Sequence, residues 1–353
     1  MGLNWIEQKS LGLFVKTRGV LSAPFFAGKG LIFMLHRVLP EQERNRFPVN
    51  NGLAISPEKL EEHILYFKKM NFEFISMDTL HSRLKNGVKP KKRFVIFTLD
   101  DGYKDNFTVG LPIFEKFDIP FTVYVSTCFP NKCEFPWWYL LEDKLSSPGQ
   151  LTIHSENQEL YGTNFTWSSA EEGVELYPKL AEMIKASDSP NTRKYWQETL
   201  GLKVTQLDDA YIEMGCTWED LEVYTKHPLV TIGAHTSNHY CLSRLSLEEA
   251  KHEIESSKKE LENALNQKIE HFAYPYGGLE DATKRDYILA MEAGFKTAVL
   301  NHPGNVFSST QKNLFSIPRY PLGEATPIQK LNEITNGITH FGANGFSPSY
   351  TAL

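Results

Sequence analysis

Two short stretches of this chain combine residue types and spacings that could do chemistry. The first is FVIFTLDDGYKDNF, Phe94 to Phe107, where a run of β-forming residues ends in the adjacent acids Asp100 and Asp101, followed by Gly102. Such an ending can be a plain turn with its side chains in water. Held together over a site instead, two like charges are costly unless a metal or a proton separates their roles. The second stretch is GAHTSNHY, which carries His235 and His239 four residues apart. Histidines at that spacing are common on surfaces. If the chain turns helically after a strand, however, both imidazoles lie on one face and can share a metal. Two histidines and one carboxylate leave positions open for water and substrate, which a hydrolytic site needs. Successive side chains on an extended strand point to opposite sides. One of the two acids can therefore ligate the metal while the other hydrogen-bonds the water on it. The metal's charge lowers the pKa of that water, and the free carboxylate takes its proton.

The elements that must position these groups are legible as alternating strands and helices. GLIFMLHRV (Gly30 to Val38) reads as a buried strand ending near His36. SPEKLEEHILYFKKM follows as a helix, with Ser56 as N-cap and Pro57 at its first position. FEFIS, RFVIFTLD, PFTVYVS, LVTIGAHT, HFAYPYG and FKTAVL are further strands. MDTLHSRLKNG, NFTVGLPIFEKF and DATKRDYILAMEAG are helices between them, as is SLEEAKHEIESSKKELENALNQ, which opens with Ser246 and Glu249 in capping-box spacing. The alternation indicates an α/β fold with a parallel sheet. Sites in such folds collect at the carboxyl ends of strands. His36, Asp100, Asp101, His235 and the run Tyr274 to Gly277 all fall there. The segment from about 146 to 215 breaks the rhythm. It is polar, has two helix-like stretches and no convincing buried strand, and reads as an insertion on one face of a domain spanning 30–335. Residues 1–29 read as a lead-in, and 336–353 as an irregular tail rich in Gly, Ser and Asn.

Composition narrows the possibilities. The 353 residues are 41% hydrophobic and 23% charged, ordinary globular usage. A formal charge of −6 gives no footprint for nucleic acid. The four cysteines, Cys128, Cys133, Cys216 and Cys241, form no CxxC pair and no disulfide framework, although one bridge is open to them. Lys9, Lys16 and Arg18 interrupt the apolar residues of the lead-in, so it lacks a secretory pattern. No stretch reaches membrane-spanning length. A cytoplasmic or membrane-peripheral location is expected. Asn4 to Phe26 should pack on the domain, with contact to a membrane surface as the alternative.

Taken together, TLDDG, HTSNH and YPYG resemble the motifs of the polysaccharide deacetylase family, which includes chitin deacetylases and bacterial exopolysaccharide de-N-acetylases. Leu99 stands where that family usually has Phe, and its H-[ST]-x-x-H motif is matched in full. The resemblance spans roughly Leu31 to Leu322. It implies an incomplete (β/α) barrel of about seven parallel strands with a helical insertion. It also implies that Asp100 is the catalytic base and that Asp101, His235 and His239 bind one divalent metal ion, most often zinc. The implied activity is removal of N-acetyl groups from amino-sugar residues of a polysaccharide or glycan precursor, a lipid-linked sugar included. The third family motif is often R-x-P-[FY], and here it reads AYPYG, with Ala273 in place of Arg. Tyr274, Pro275 and Tyr276 would then face substrate, and the Arg that orients the base must come from elsewhere. Arg319 in SIPRYPL is the candidate, against its reading as a surface Arg after a Pro turn. The general acid would be His36, at the end of the more clearly buried strand. The alternative is His302, because LNH fits the family's last motif, L-x-H. Trp137, Trp138 and Tyr139 either stack on sugar faces or anchor the insertion, and anchoring is preferred. Trp167, Trp196 and Trp218 read as packing. Other readings are a non-catalytic glycan-binding barrel, or a deformylase or O-acetyl esterase using the same site. A two-metal phosphoesterase would need more acidic ligands than the sequence offers.

Overall fold

The strands of the computed structural model are β1 (Gly30–Leu35), β2 (Arg37–Val38), β3 (Ala54–Ile55), β4 (Glu73–Phe74), β5 (Phe94–Leu99), β6 (Phe121–Val125), β7 (Gly149–Ile153), β8 (Thr163–Trp167), β9 (Val230–Ala234), β10 (His271–Ala273), β11 (Thr297–Val299) and β12 (Tyr320–Pro321). The structure describes residues 26–339 apart from 45, 134–135, 154–162, 187–189, 200–210 and 212. The expected lead-in and tail thus lie almost wholly outside the described residues. Seven strands follow one another in the order β11-β10-β9-β6-β5-β1-β12, and β4 pairs with β5 from the side. Every pairing in this sheet is parallel. No ladder joins β11 to β12 among the described residues, and a single parallel bridge, Val299 to Ile317, bridges part of the gap. The result is an open (β/α) barrel, as the alternation and the resemblance led us to expect.

β1 and β5 are buried at every position, which is why their sequences read as unbroken apolar runs. The two faces serve different cores. Leu31, Phe33, Leu35, Val95, Phe97 and Leu99 face the helices, whereas Ile32, Phe94 and Ile96 face the barrel interior with Tyr124, Val299 and Ile317. Period-two alternation then carries Thr98 and, just beyond the strand, Asp100 inward. The outer helices start where the sequence says they should. Ser56 Oγ accepts the Lys59 N–H, and Ser246 with Glu249 forms a reciprocal capping box on Leu247–Leu265.

The insertion differs from its expected all-helical form. Besides the helices Ala170–Ala186 and Pro190–Thr199, it contains an antiparallel hairpin of β7 and β8, paired from Gly149–Trp167 to Ile153–Thr163. Its strands are short and half polar. Leu151, Phe165 and Trp167 are buried on one face, while the Thr152 hydroxyl bonds Asn164 on the other at 2.7 Å. Neither strand therefore resembles a buried parallel strand. These residues join Trp137, Trp138 and Tyr139, Tyr177, Leu180 and Trp196 in a second core. The aromatic run thus anchors the insertion, as preferred. Among the described residues no two cysteines are joined by a disulfide. Among the described residues no helix is long and apolar enough to cross a membrane.

Candidate active site

Alternation carries Asp100 inward, but Asp101 is placed by the backbone turn that follows the strand. The strand has ended at Leu99, and Asp101 and Gly102 take left-handed backbone conformations, with φ of 77° and 88°. Asp tolerates this region better than most side chains, and glycine adopts it freely. A Cβ on Gly102 would sit 3.1 Å from the Val125 side chain, so the turn is also packed tightly on β6. Backbone bonds fix it on three sides: Asp100 N–H to Leu35 at 2.9 Å, Ser126 N–H to Asp101 at 3.2 Å, and Cys216 N–H to Gly102 at 3.0 Å. LDDG is therefore a turn that also holds two carboxylates in the buried interior.

The histidines also converge, without the helical turn their spacing suggested. The segment after β9 is irregular, with left-handed Thr236 (φ 65°) and His239 (φ 55°). Thr236 Oγ1 accepts the His239 N–H at 3.0 Å, which tightens the loop. His235 Nε2 and His239 Nε2 lie 3.4 and 3.3 Å from Asp101 Oδ1. His235 Nδ1 donates to the Ala273 carbonyl at 2.8 Å, which fixes the ring with Nε2 toward Asp101.

These three side chains fit a metal ion. All are buried, and their ligand atoms lie within 4.8 Å of one another, the one such group among the described residues. Asp101 Oδ1 is buried with no hydrogen-bond partner, a cost that a cation would remove. A tetrahedral zinc with bonds of 2.0–2.2 Å has ligand–ligand edges of roughly 3.3–3.6 Å, matching the two measured separations. Burial works to raise the Asp101 carboxyl, but the facing imidazoles outweigh it and hold it well below the usual carboxylate range. Burial pushes His239 down, which favours the neutral imidazole that a metal requires.

Asp100 is held differently. Arg319 is fully buried inside the barrel and grips Asp100 with two bonds of 2.7 Å, one to each oxygen. It also donates to the Thr98 hydroxyl at 2.9 Å and the Leu300 carbonyl at 3.2 Å, and lies over the Tyr124 ring. Burial alone would raise the Asp100 carboxyl, and the Arg319 charge overcomes it, so the net direction is downward. Arg319 is thus an interior residue, and the surface reading of it fails.

A cleft of about 500 Å³ opens over this cluster, with Asp100, Asp101, His235 and His239 in its lining. His36, half-buried between β1 and β2, also lines it, as does Asn301, whereas His302 does not. Tyr276 lines it too. Its hydroxyl accepts the Trp137 Nε1–H at 3.1 Å, and its ring lies 5.0 Å from that of His239. Tyr274 and Pro275 depart from the expectation. Tyr274 is 1% exposed, packs on Phe272 and Tyr287, and donates its hydroxyl to the Phe315 carbonyl at 2.9 Å. Pro275 is buried in the same turn, and neither residue reaches the cleft. The chain reverses through left-handed Tyr276 and Gly277, which turns Tyr276 alone of the three toward the cleft.

The insertion forms one wall, a role its sequence did not reveal. Tyr177, Ala181, Glu182 and Lys185 of the Ala170–Ala186 helix line the cleft. Lys185 pairs with Asp281 at 2.8 Å, beside the YPYG turn. The spacing of Tyr177, Ala181 and Lys185 is that of one helix face, and this pattern is the signal that could have placed them together. Trp137 and Trp138 contribute to the lining as well as to the second core.

Comparison with known proteins agrees with this fold. In fold, the chain is similar to the Streptococcus pyogenes deacetylase PplD in complex with acetate (TM-score 0.55, 18% identity, 87% of this chain and 97% of that one). It is also similar to a de-N-acetylase from Aggregatibacter actinomycetemcomitans (0.56, 14%, 86% and 99%) and to IcaB from Ammonifex degensii (0.52, 14%, 88% and 97%). In sequence it is 24% identical over 75 residues to the Bacillus subtilis protein YxkH, which carries a polysaccharide deacetylase name. That match takes in 21% of this chain and about a quarter, 27%, of the relative. The polysaccharide deacetylase family model matches residues 87–297, well over half of the sequence and inclusive of both the acid pair and the paired histidines. The chain belongs to the polysaccharide deacetylase family.

Proposed function

We propose that this protein is a metal-dependent hydrolase that removes N-acetyl groups from amino-sugar residues of a polysaccharide or glycan precursor. The observation that carries this reading is the buried Asp101–His235–His239 group, with its unpartnered carboxylate oxygen, beside an Arg-held Asp100 at the floor of one cleft. When bound there, a divalent ion such as zinc supplies Lewis acidity toward the amide oxygen and lowers the pKa of water. Asp100 is the general base. Arg319 keeps it ionised and fixes both of its oxygens, so it is ready to accept a proton from water in the cleft. His36 is the acid that protonates the departing amine, supported by its place in the cleft lining and by the absence of His302 from it. Trp137, Trp138 and Tyr276 offer aromatic faces on which a sugar ring can lie.

Acetate release from defined N-acetylglucosamine oligomers tests this reading. Metal-stripped protein should be inactive and should regain turnover on addition of zinc. Oligomer binding without acetate release at any metal concentration would favour a non-catalytic barrel and overturn the proposal.

A further inference from the structure

The loop that carries both histidines is an expensive piece of backbone. Thr236 and His239 are both left-handed, a region that a β-branched residue enters only under constraint. Part of the constraint comes from one residue outside every motif. Glu253 lies on the Leu247–Leu265 helix and is 4% exposed. Its Oε2 accepts the Asn238 backbone N–H at 2.8 Å, and its Oε1 accepts the Asn238 Nδ2 at 2.7 Å. Its own backbone carbonyl accepts the Ser237 N–H at 3.2 Å. Three donors from two consecutive loop residues, Ser237 and Asn238, thus converge on a single helical residue. On the other side of the loop, the Thr127 N–H bonds the Thr236 carbonyl at 3.2 Å and the Cys128 N–H bonds the Ser237 carbonyl at 2.7 Å.

A buried carboxylate spent wholly on a loop is unusual. Its desolvation is unfavourable, and a shorter neutral side chain could fill the space. We propose that Glu253 is a positioning residue for the metal ligands. By clamping Ser237 and Asn238, it holds the strained loop in the one conformation that brings His235 Nε2 and His239 Nε2 to ligand distance of Asp101. It touches neither substrate nor metal and acts through the loop. The inference rests on the reading of His235 and His239 as ligands, and it extends that reading to a residue 14 positions from the nearer histidine.

The test is the zinc affinity of full-length, metal-stripped protein, measured by competition with a chromophoric chelator. Circular dichroism confirms that each variant is folded. Glu253→Ala should weaken zinc binding about 10- to 100-fold, the usual effect of removing an outer partner of a metal site. Glu253→Gln should retain most of the affinity, because its amide oxygen can still accept the Asn238 N–H and the Asn238 amide can flip to match. Asn238→Ala removes one of the three bonds from the loop side and should fall between the two. A purely structural clamp would lower thermal stability in Glu253→Ala and leave the zinc affinity of the folded protein unchanged, and that result would overturn the proposal. If Glu253→Ala does not fold, wild-type zinc affinity in both Glu253→Gln and Asn238→Ala would overturn it instead. Failure of the wild-type protein to bind zinc at all would overturn the ligand reading beneath it, which is a distinguishable result.

Discussion

The barrel holds two Asp–His groupings, one at each end, and only one of them has unspent bonding capacity. At the amino ends of the strands, His271 of β10 is 1% exposed and uses both ring nitrogens: Nδ1 with the Thr297 hydroxyl at 2.8 Å and Nε2 with Asp78 at 3.1 Å. At the carboxyl ends, Asp101 faces two imidazoles whose Nε2 atoms point at the same oxygen, and that oxygen has no hydrogen-bond partner. The residue types are the same. The difference is that one grouping satisfies itself and the other leaves a buried carboxylate oxygen without a partner, where a cation could sit. The unpartnered oxygen facing two imidazoles sets this grouping apart from the saturated link at the other end.

The largest effects should come from the carboxyl end, at the two acids of LDDG. Asp100→Asn keeps size and one oxygen but removes the base, so kcat should fall by roughly 10²–10⁴-fold while zinc stays bound. Asp101→Asn should instead weaken zinc binding, with activity partly restored at high zinc. Acetate release and metal content, measured together, separate the two neighbours. Equal, near-normal activity in both would reduce LDDG to a turn.

His271→Ala tests the other side of the comparison. It leaves the Thr297 hydroxyl unpaired and opens space in the barrel floor, so urea unfolding should show a loss of about 1–3 kcal/mol. Zinc affinity should not move. A variant that stayed equally stable but lost zinc would erase the distinction between the two ends.

A smaller effect is expected at the insertion. Lys185→Ala removes the pair with Asp281 that ties the insertion wall to the YPYG turn. It should raise KM a few-fold with kcat near wild type, the signature of lost uniform binding. A matching fall in kcat would show that the wall shapes the reacting geometry itself.

The smallest effect concerns pH. The hydrogen bond from His271 holds Asp78 below its ordinary carboxylate value. Its folded pKa is therefore depressed, and its contribution to stability is present above the unfolded pKa and fades as pH falls through the folded one. The Asp78 side chain is 52% exposed, so solvent screens the pair and the contribution is slight. Asp78→Asn should make thermal stability marginally less dependent on pH below about 4. Unchanged acid sensitivity would show that Asp78 is a bystander.

Much of this architecture was legible in the sequence because local signals and packing agree. The apolar runs of β1 and β5 and the Ser56 and Ser246 caps each have one physical reading, and the two motif stretches narrow to one when taken together. What was not legible depends on long-range packing or on backbone sign. Arg319 meets Asp100 from 219 residues away, and only strand parity inside the barrel puts them together. The left-handed residues at Asp101, Thr236 and His239 replace the alternation and helical turn that spacing suggested, because polar side chains and tight hydrogen bonds sustain them. Tyr274 read as a substrate residue by its place in YPYG, yet its ring is core and only Tyr276 turns outward. The β7–β8 hairpin was hidden because each strand buries only its alternate residues against the insertion's own helices.

The central claim is that Asp101, His235 and His239 form one metal site. Anomalous diffraction from crystals of the zinc-loaded protein, collected on both sides of the zinc absorption edge, tests it most directly. One peak per chain is expected, bonded to Asp101 Oδ1, His235 Nε2 and His239 Nε2 at about 2.0–2.2 Å. A protein that takes up zinc elsewhere, or none with these three side chains still facing one another, would contradict it.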